Sequence, residues 1–319
     1  MTTRRYMLQH SIAVVAAALS PALRAAELEA PLIIDTHQHL WDLTKFKIPW
    51  LDNAPPTYRQ SYRTEEYVKA TRGLDVKAIY MEVGMPPDSR AAEAEYVVAL
   101  CRAKTNPTVA AVIGGRPDDP GFEDYIRRFK DTGFVRGARS VLNSAATPAG
   151  TCLKDDFIRG IRFLGKNDLS FDLCMRPAEL SDAVTLSEKC PDTRLILDHC
   201  GNADPKAFPP TDPQPSHNPD IWKRDVDALA RHSNVICKIS GVVANAPEKW
   251  SAEHLSPIVN HCLDAFGPDR VVFGGDWPVC LKRATLAQWI EALRKIVAKR
   301  PAMEQRKLWS ENAKRLYAV

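Results

Sequence analysis

Three short stretches carry residue types that could do metal or acid–base chemistry. The first, Ile33-Ile34-Asp35-Thr36-His37-Gln38-His39, runs an apolar segment into His-x-His. In an extended strand, residues i and i+2 share a face, so His37 and His39 converge and Gln38 points away. Two imidazoles on one face pack poorly but suit metal ligation. The second, Leu195-Ile196-Leu197-Asp198-His199-Cys200-Gly201, brings His199 to the end of another apolar run. The third, Val271-Val272-Phe273-Gly274-Gly275-Asp276-Trp277-Pro278, presents Asp276 just after two glycines that permit a tight turn. Taken singly, each has an ordinary explanation: a hydrogen-bonded histidine, or an aspartate capping the next helix. Together, three neutral nitrogens and one carboxylate suit Zn²⁺ or a similar divalent cation with a position left for water.

Other polar residues sit where apolar ones are expected. Lys238 interrupts the run Val235–Ile239, Arg139 interrupts Val135–Leu142, and Glu82 follows Tyr80-Met81. A charge in a strand buried on both sides needs a partner or a water-filled mouth. Arg139 and Lys238 are therefore read as substrate contacts or as members of a buried ion pair, with Glu82 a candidate partner. Glu82 itself is read as a substrate contact, a further metal ligand or that partner. Trp41 and Trp277 are read as pocket walls, Arg176 as a weaker candidate, and His217 as solvated.

For these residues to meet, the chain must bring several strand ends to one place. Eight β-branched or apolar runs qualify as strands: Leu32–Thr36, Lys77–Val83, Val109–Ile113, Val135–Leu142, Ser170–Met175, Arg194–Leu197, Val235–Ile239 and Arg270–Phe273. Amphipathic segments separate them, among them Ala91–Ala103, Phe122–Asp131, Ala178–Lys189, Ile221–His232, Ser256–Ala265 and Thr285–Ala298. Continuous apolar strands alternating with helices indicate a parallel sheet covered on both faces. The expected fold class is α/β, a distorted (β/α)8 TIM barrel forming a single domain over residues 27–319. An open doubly wound sheet is the alternative, weakened by the lack of a Gly-x-Gly-x-x-Gly turn after any strand. In a barrel, the ends of strands 1, 6 and 8 bring His37, His39, His199 and Asp276 to one mouth. Two long loops lie over the same face: Leu40 to about Arg63, with Trp41 and Trp50, and the segment 202–220, with six prolines. They are read as pocket wall and lid, or as decoration or an oligomer contact.

The His-x-His, the Asp-His-x-Gly turn, the Lys-x-Ser-Gly of Lys238-Ile239-Ser240-Gly241 and the Gly-Gly-Asp-Trp-Pro of residues 274–278 resemble the amidohydrolase superfamily. They are most similar to its branch of sugar-acid and dicarboxylate lactonases, and the likeness spans nearly all of residues 32–317. The resemblance implies a distorted barrel that opens a small-molecule lactone. His37, His39 and His199 would be metal ligands or carbonyl polarisers. Asp276 would be the general base, and His199 and Asp276 would also count among the metal ligands. Arg139 matches an arginine that relatives hold near substrate. Zinc is implied but dispensable in some members. A neighbouring branch performs metal-dependent non-oxidative decarboxylation with a similar set, which is the alternative reaction. A non-catalytic exported binding barrel is the alternative class.

Composition narrows the partners. Hydrophobic residues make up 45% and charged residues 26% of the 319, an ordinary globular balance. Residues 1–26 read as an export signal of twin-arginine type: Arg4-Arg5, an apolar stretch Ile12–Leu19, then small residues up to Ala26. The alternative is an uncleaved anchor. Residues 1–25 hold three of the 43 basic residues and none of the 39 acidic ones, so the remainder is nearly neutral. Nucleic acid and stable membrane association are not expected. Self-association is left open. The expected location is periplasmic. The eight cysteines are read as buried small hydrophobes, with a surface disulfide through Cys152 or Cys190 left open.

Overall fold

In the computed structural model, which describes residues 31–208 and 215–319, eight parallel strands pair in chain order. They are β1 (Ile33–Gln38), β2 (Val76–Met81), β3 (Thr108–Gly114), β4 (Val135–Val141), β5 (Ser170–Cys174), β6 (Leu195–Leu197), β7 (Val235–Ile239) and β8 (Val271–Phe273). One helix follows each strand: α1 (Thr64–Ala70), α2 (Arg90–Ala103), α3 (Phe122–Lys130), α4 (Asp155–Lys166), α5 (Leu180–Lys189), α6 (Pro219–Ala230), α7 (Ala252–Phe266) and α8 (Leu286–Val297). This is the (β/α)8 barrel, and residues 32–319 form one compact unit. The export signal expected over residues 1–26 lies outside the described residues; among the described residues no helix is long and apolar enough to cross a membrane.

The helices form for local reasons. In α8 the apolar residues Leu286, Trp289, Ile290, Leu293 and Val297 recur at the three- and four-residue spacing that makes one buried stripe. Thr285 caps its first turn, accepting from the Gln288 amide, and Gln288 reaches back to the Thr285 N–H. In α6, Asn218 accepts from Asp220 N and Ile221 N, with Pro219 at the first helical position.

Alternation along the strands separates two cores. Ile34, Ile79, Met81, Ala110, Val112, Ile196, Ile236 and Val272 fill the barrel interior with Ala313, Leu316 and Tyr317 from the C-terminal segment. The other strand faces pack against the helices. Strands β1 and β8 meet at the seam through one isolated bridge, Gln38 to Trp277. The rest of that seam is held by side chains. Thr36 Oγ1 donates to Phe273 O at 2.7 Å, and Gly275 N donates to Asp35 Oδ1 at 2.6 Å. Asp35 also accepts from Tyr67 Oη and His37 N, so one buried carboxylate ties together β1, α1 and the turn that carries Asp276.

All eight cysteines are free and buried. Cys152 and Cys190 are enclosed rather than at the surface, so no surface disulfide forms through them.

Candidate active site

The residues expected to act together do meet at the C-terminal mouth. His37 and His39 end β1, His199 follows β6, and Asp276 follows β8. Asp276 Oδ1 lies 3.5 Å from His39 Nε2 and 3.8 Å from His37 Nε2. Their ligand atoms fall within 4.8 Å of one another, as do those of His37, Asp198 and His199. The rings of His37 and His199 are 4.4 Å apart, centre to centre. The β1–β2 register shifts between Asp35 and Gln38, which re-aims the strand end toward the mouth.

Each imidazole has one nitrogen committed. His39 Nδ1 donates to Met81 O at 2.9 Å. His199 Nδ1 is 2.9 Å from Ser240 Oγ. His37 Nδ1 is 3.4 Å from Asp198 Oδ1. This leaves Nε2 of His39 and His199 uncommitted, the arrangement by which ligating histidines are oriented, whereas His37 meets Lys238 Nζ at 3.2 Å on Nδ1 and Arg139 Nη1 at 3.3 Å on Nε2. Burial lowers all three pKa values: His37 well below the usual range, with Lys238 adding to the effect, His39 to about 4, and His199 in the same direction. They are neutral, the form that binds metal.

Beneath the histidines lies a layer of buried charge. Lys238 Nζ donates to Asp172 Oδ2 at 2.6 Å and lies 3.1 Å from Asp198 Oδ1. Burial opposes the charge on Lys238, but these two carboxylates hold its pKa up. Burial likewise opposes ionisation of Asp198, yet Lys238 and His37 keep it well below the ordinary carboxylate range. Arg139 Nε donates to Glu82 Oε1 and its Nη2 to Glu82 O, both at 2.6 Å, while Nη1 is 3.3 Å from His37 Nε2. Burial raises Asp276 to about 6 against the pull of His199 and Arg139, and raises Asp172 to about 7 against Lys238. Four carboxylates thus surround the histidines against two cations. A donor set of neutral imidazole nitrogens with surplus carboxylate fits a divalent cation.

A cavity of about 540 Å³ opens above this layer, within the range of small-molecule sites. Trp41, Arg139, His39, His199 and Asp276 line it. Glu82 and Lys238 do not reach its wall among the described residues. Glu82 holds Arg139, and Lys238 sits in the charged layer. Of the roles weighed for them, the buried ion pair is what the geometry provides: Glu82 pairs with Arg139, and Lys238 pairs with Asp172 and Asp198. Trp277 packs edge-on against Tyr62 and Tyr67 behind the wall. Arg176 is spent on Glu179, Ser144 O and Thr147 O. His217 is buried rather than solvated, its Nε2 accepting from Asp204 N at 2.8 Å.

Sequence reasoning missed Asp35, Asp172 and Asp198 as organisers and Asn143, Asn202 and Asn245 as lining residues. An acid inside the apolar run Ser170–Met175 was the available signal for Asp172, the same signal that marked Lys238.

The amidohydrolase family model matches residues 34–319. The chain belongs to the amidohydrolase family. It is 28% identical over 295 residues to an L-fucono-1,5-lactonase of Burkholderia multivorans, covering 90% of this chain and 96% of that one. It is 23% identical to an L-rhamnono-gamma-lactonase of Scheffersomyces stipitis, covering 78% of this chain and 85% of that one. A solved amidohydrolase from Burkholderia multivorans with bound zinc superposes with a TM-score of 0.79 at 25% identity, covering 90% of this chain and 99% of that one. As an amidohydrolase, the chain has its metal-type cluster and its cavity at the barrel end where this fold places active sites.

Proposed function

We propose that this amidohydrolase opens a sugar-acid lactone by attack of water, with Asp276 as general base. The observation that carries the reading is the convergence of Asp276 with His37 and His39, and of His37 with His199, with His39, His199 and Asp276 lining a cavity, in a chain whose named relatives are lactonases.

Asp276, with its pKa raised to about 6, is ionised at neutral pH and still basic enough to take a proton. It removes one proton from water as the oxygen attacks the lactone carbonyl carbon. The ring C–O bond then breaks, and the same proton passes to the leaving alkoxide. Arg139, fixed by two bonds to Glu82, directs positive charge into the cavity where the oxyanion develops. His37, His39, His199 and Asp276 would hold the metal, for which zinc is the proposed identity. A bound divalent cation supplies Lewis acidity and lowers the pKa of water.

Substrate charge follows from the lining. The polar groups there include Asn143, Ser144, Asn202 and Asn245, which are neutral, and the one lining cation among the described residues, Arg139, is engaged by Glu82. With Arg139 assigned to the oxyanion, no further lining cation among the described residues is left for a substrate carboxylate, which favours a neutral polyhydroxy lactone over a dicarboxylate one. The test compares kcat/KM for sugar-acid lactones with that for a pyrone dicarboxylate. A preference for the dicarboxylate overturns this part. The decarboxylation reading has no observation in its favour beyond the shared fold. The twin-arginine-like segment supports export of the folded enzyme to the periplasm. Arg4→Lys combined with Arg5→Lys is expected to trap the protein inside the cell, which fractionation reads.

A further inference from the structure

On the far side of the catalytic turn lies a second cluster. Cys200 from the turn after β6, Cys237 on β7 and Cys262 on α7 bring their Sγ atoms within 4.8 Å of one another. All three are fully buried. Lys238 points into the barrel, so its neighbour Cys237 points out toward the helical layer. The turn that presents Cys200 has an unusual backbone: His199, Cys200, Gly201 and Asn202 all have left-handed φ, between 53° and 67°. For three non-glycine residues in a row of four this is a costly conformation, of the kind found at functional sites. It turns His199 toward the cavity and Cys200 toward β7. Trp222 Nε1 donates to Cys200 O at 2.9 Å and fixes the arrangement.

We propose that Cys200, Cys237 and Cys262 form a three-sulfur site for a single soft d¹⁰ cation, of which Cu(I) is the type. Three sulfurs in a plane around a metal at ~2.3 Å stand about 4.0 Å apart, so the trio needs less than an ångström of contraction. Thiolate sulfur selects soft cations. Zinc would require a fourth donor, and among the described residues this cluster includes none. Loading makes two Sγ–Cu bonds from thiolates and one from a thiol. Two S–H protons leave for solvent, and no electron is transferred. The centre then carries one negative charge, and keeping the third ligand a thiol avoids the two that three thiolates around Cu(I) would leave in a dry site. The cluster is separate from the His–Asp site and does not rest on the lactonase reading.

The test titrates the full reduced chain anaerobically with Cu(I) supplied as its bathocuproine disulfonate complex. The expected result is withdrawal of one equivalent per chain and a higher melting temperature. X-ray absorption should show sulfur neighbours only. Cys262→Ser and Cys237→Ser should each weaken uptake by at least about 10–100-fold, the range lost when even an outer-shell partner is removed. Cys190→Ser, outside the trio, should leave it unchanged. Nitrogen or oxygen neighbours in the absorption spectrum would place the copper at the histidines and overturn the proposal. So would unaltered uptake by both trio variants, a failure of the wild-type chain to withdraw copper, or a disulfide between two of the three found by peptide mapping of the native chain. The absorption spectrum is read on the wild-type chain, so it decides even if a variant fails to fold.

Discussion

Asp276 is the residue on which the account turns. Its surroundings set its basicity: burial raises it, against the pull of His199 and Arg139, with Asp198 adding to the rise. Asp276→Asn keeps size and shape and removes the base, and is expected to lower kcat by about 10²–10⁴-fold with the melting temperature held within a few degrees. Ser240 makes no expected contact with substrate but fixes His199 Nδ1. Ser240→Ala should weaken divalent-metal affinity by about 10–100-fold, measured by competition with a chelator. The four residues of the metal-type cluster could be read from the sequence because each follows an apolar run that ends abruptly. The carboxylates that hold them could not. Asp172 and Asp198 matter because Lys238 on β7 meets them at the neighbouring strands β5 and β6, and the pairing depends on strand order and stagger, which no local pattern encodes.

At the scale of elements, the barrel was legible because its strands are buried on both faces and so appear as unbroken apolar runs. The expected strand ends lie within two residues of the observed ones, and those of β7 coincide with them. Helices α1 and α4 were harder to find. Helix α1 is seven residues long, and α4 is interrupted by Gly160, where a Cβ would meet Pro117 O at 2.3 Å. That glycine is required by close packing, not by a turn. The ends of β6 and β7 show the same economy of space. A Cβ on Gly241, whose φ is +67°, would lie 2.3 Å from His199 Nδ1. Gly241→Ala is therefore expected to displace His199 from Ser240, with a loss of activity far larger than any change in far-ultraviolet circular dichroism. Retention of wild-type activity would mean that the position of this ring is not critical.

The whole molecule keeps an unusual amount of charge inside. Glu93 illustrates what this costs. Its Oε1 accepts from Tyr80 Oη and Val83 N, both at 2.8 Å, while Oε2 has no partner. Burial, with Glu82 adding to it, raises its pKa from 4.5 to about 8. Between those values the unfolded chain has released the proton and the folded chain still holds it. The contribution of Glu93 to stability therefore falls as pH rises through that window and levels off above about 8. Glu93→Gln keeps an acceptor for both donors and removes the titration. Its urea midpoint relative to wild type should rise between about pH 5 and pH 9. An unchanged difference would show that Glu93 is ionised in the fold. The same interior charge bears on catalysis, since the surplus carboxylates favour a bound divalent cation, and a chelator is expected to reduce turnover. The most direct measurement is proton release from a panel of sugar-acid lactones by the wild-type protein and by Asp276→Asn, with both shown to be folded. Release by the wild type from at least one lactone, and its loss in the variant, is the expected result. No release from any lactone, or full release by Asp276→Asn, would contradict it.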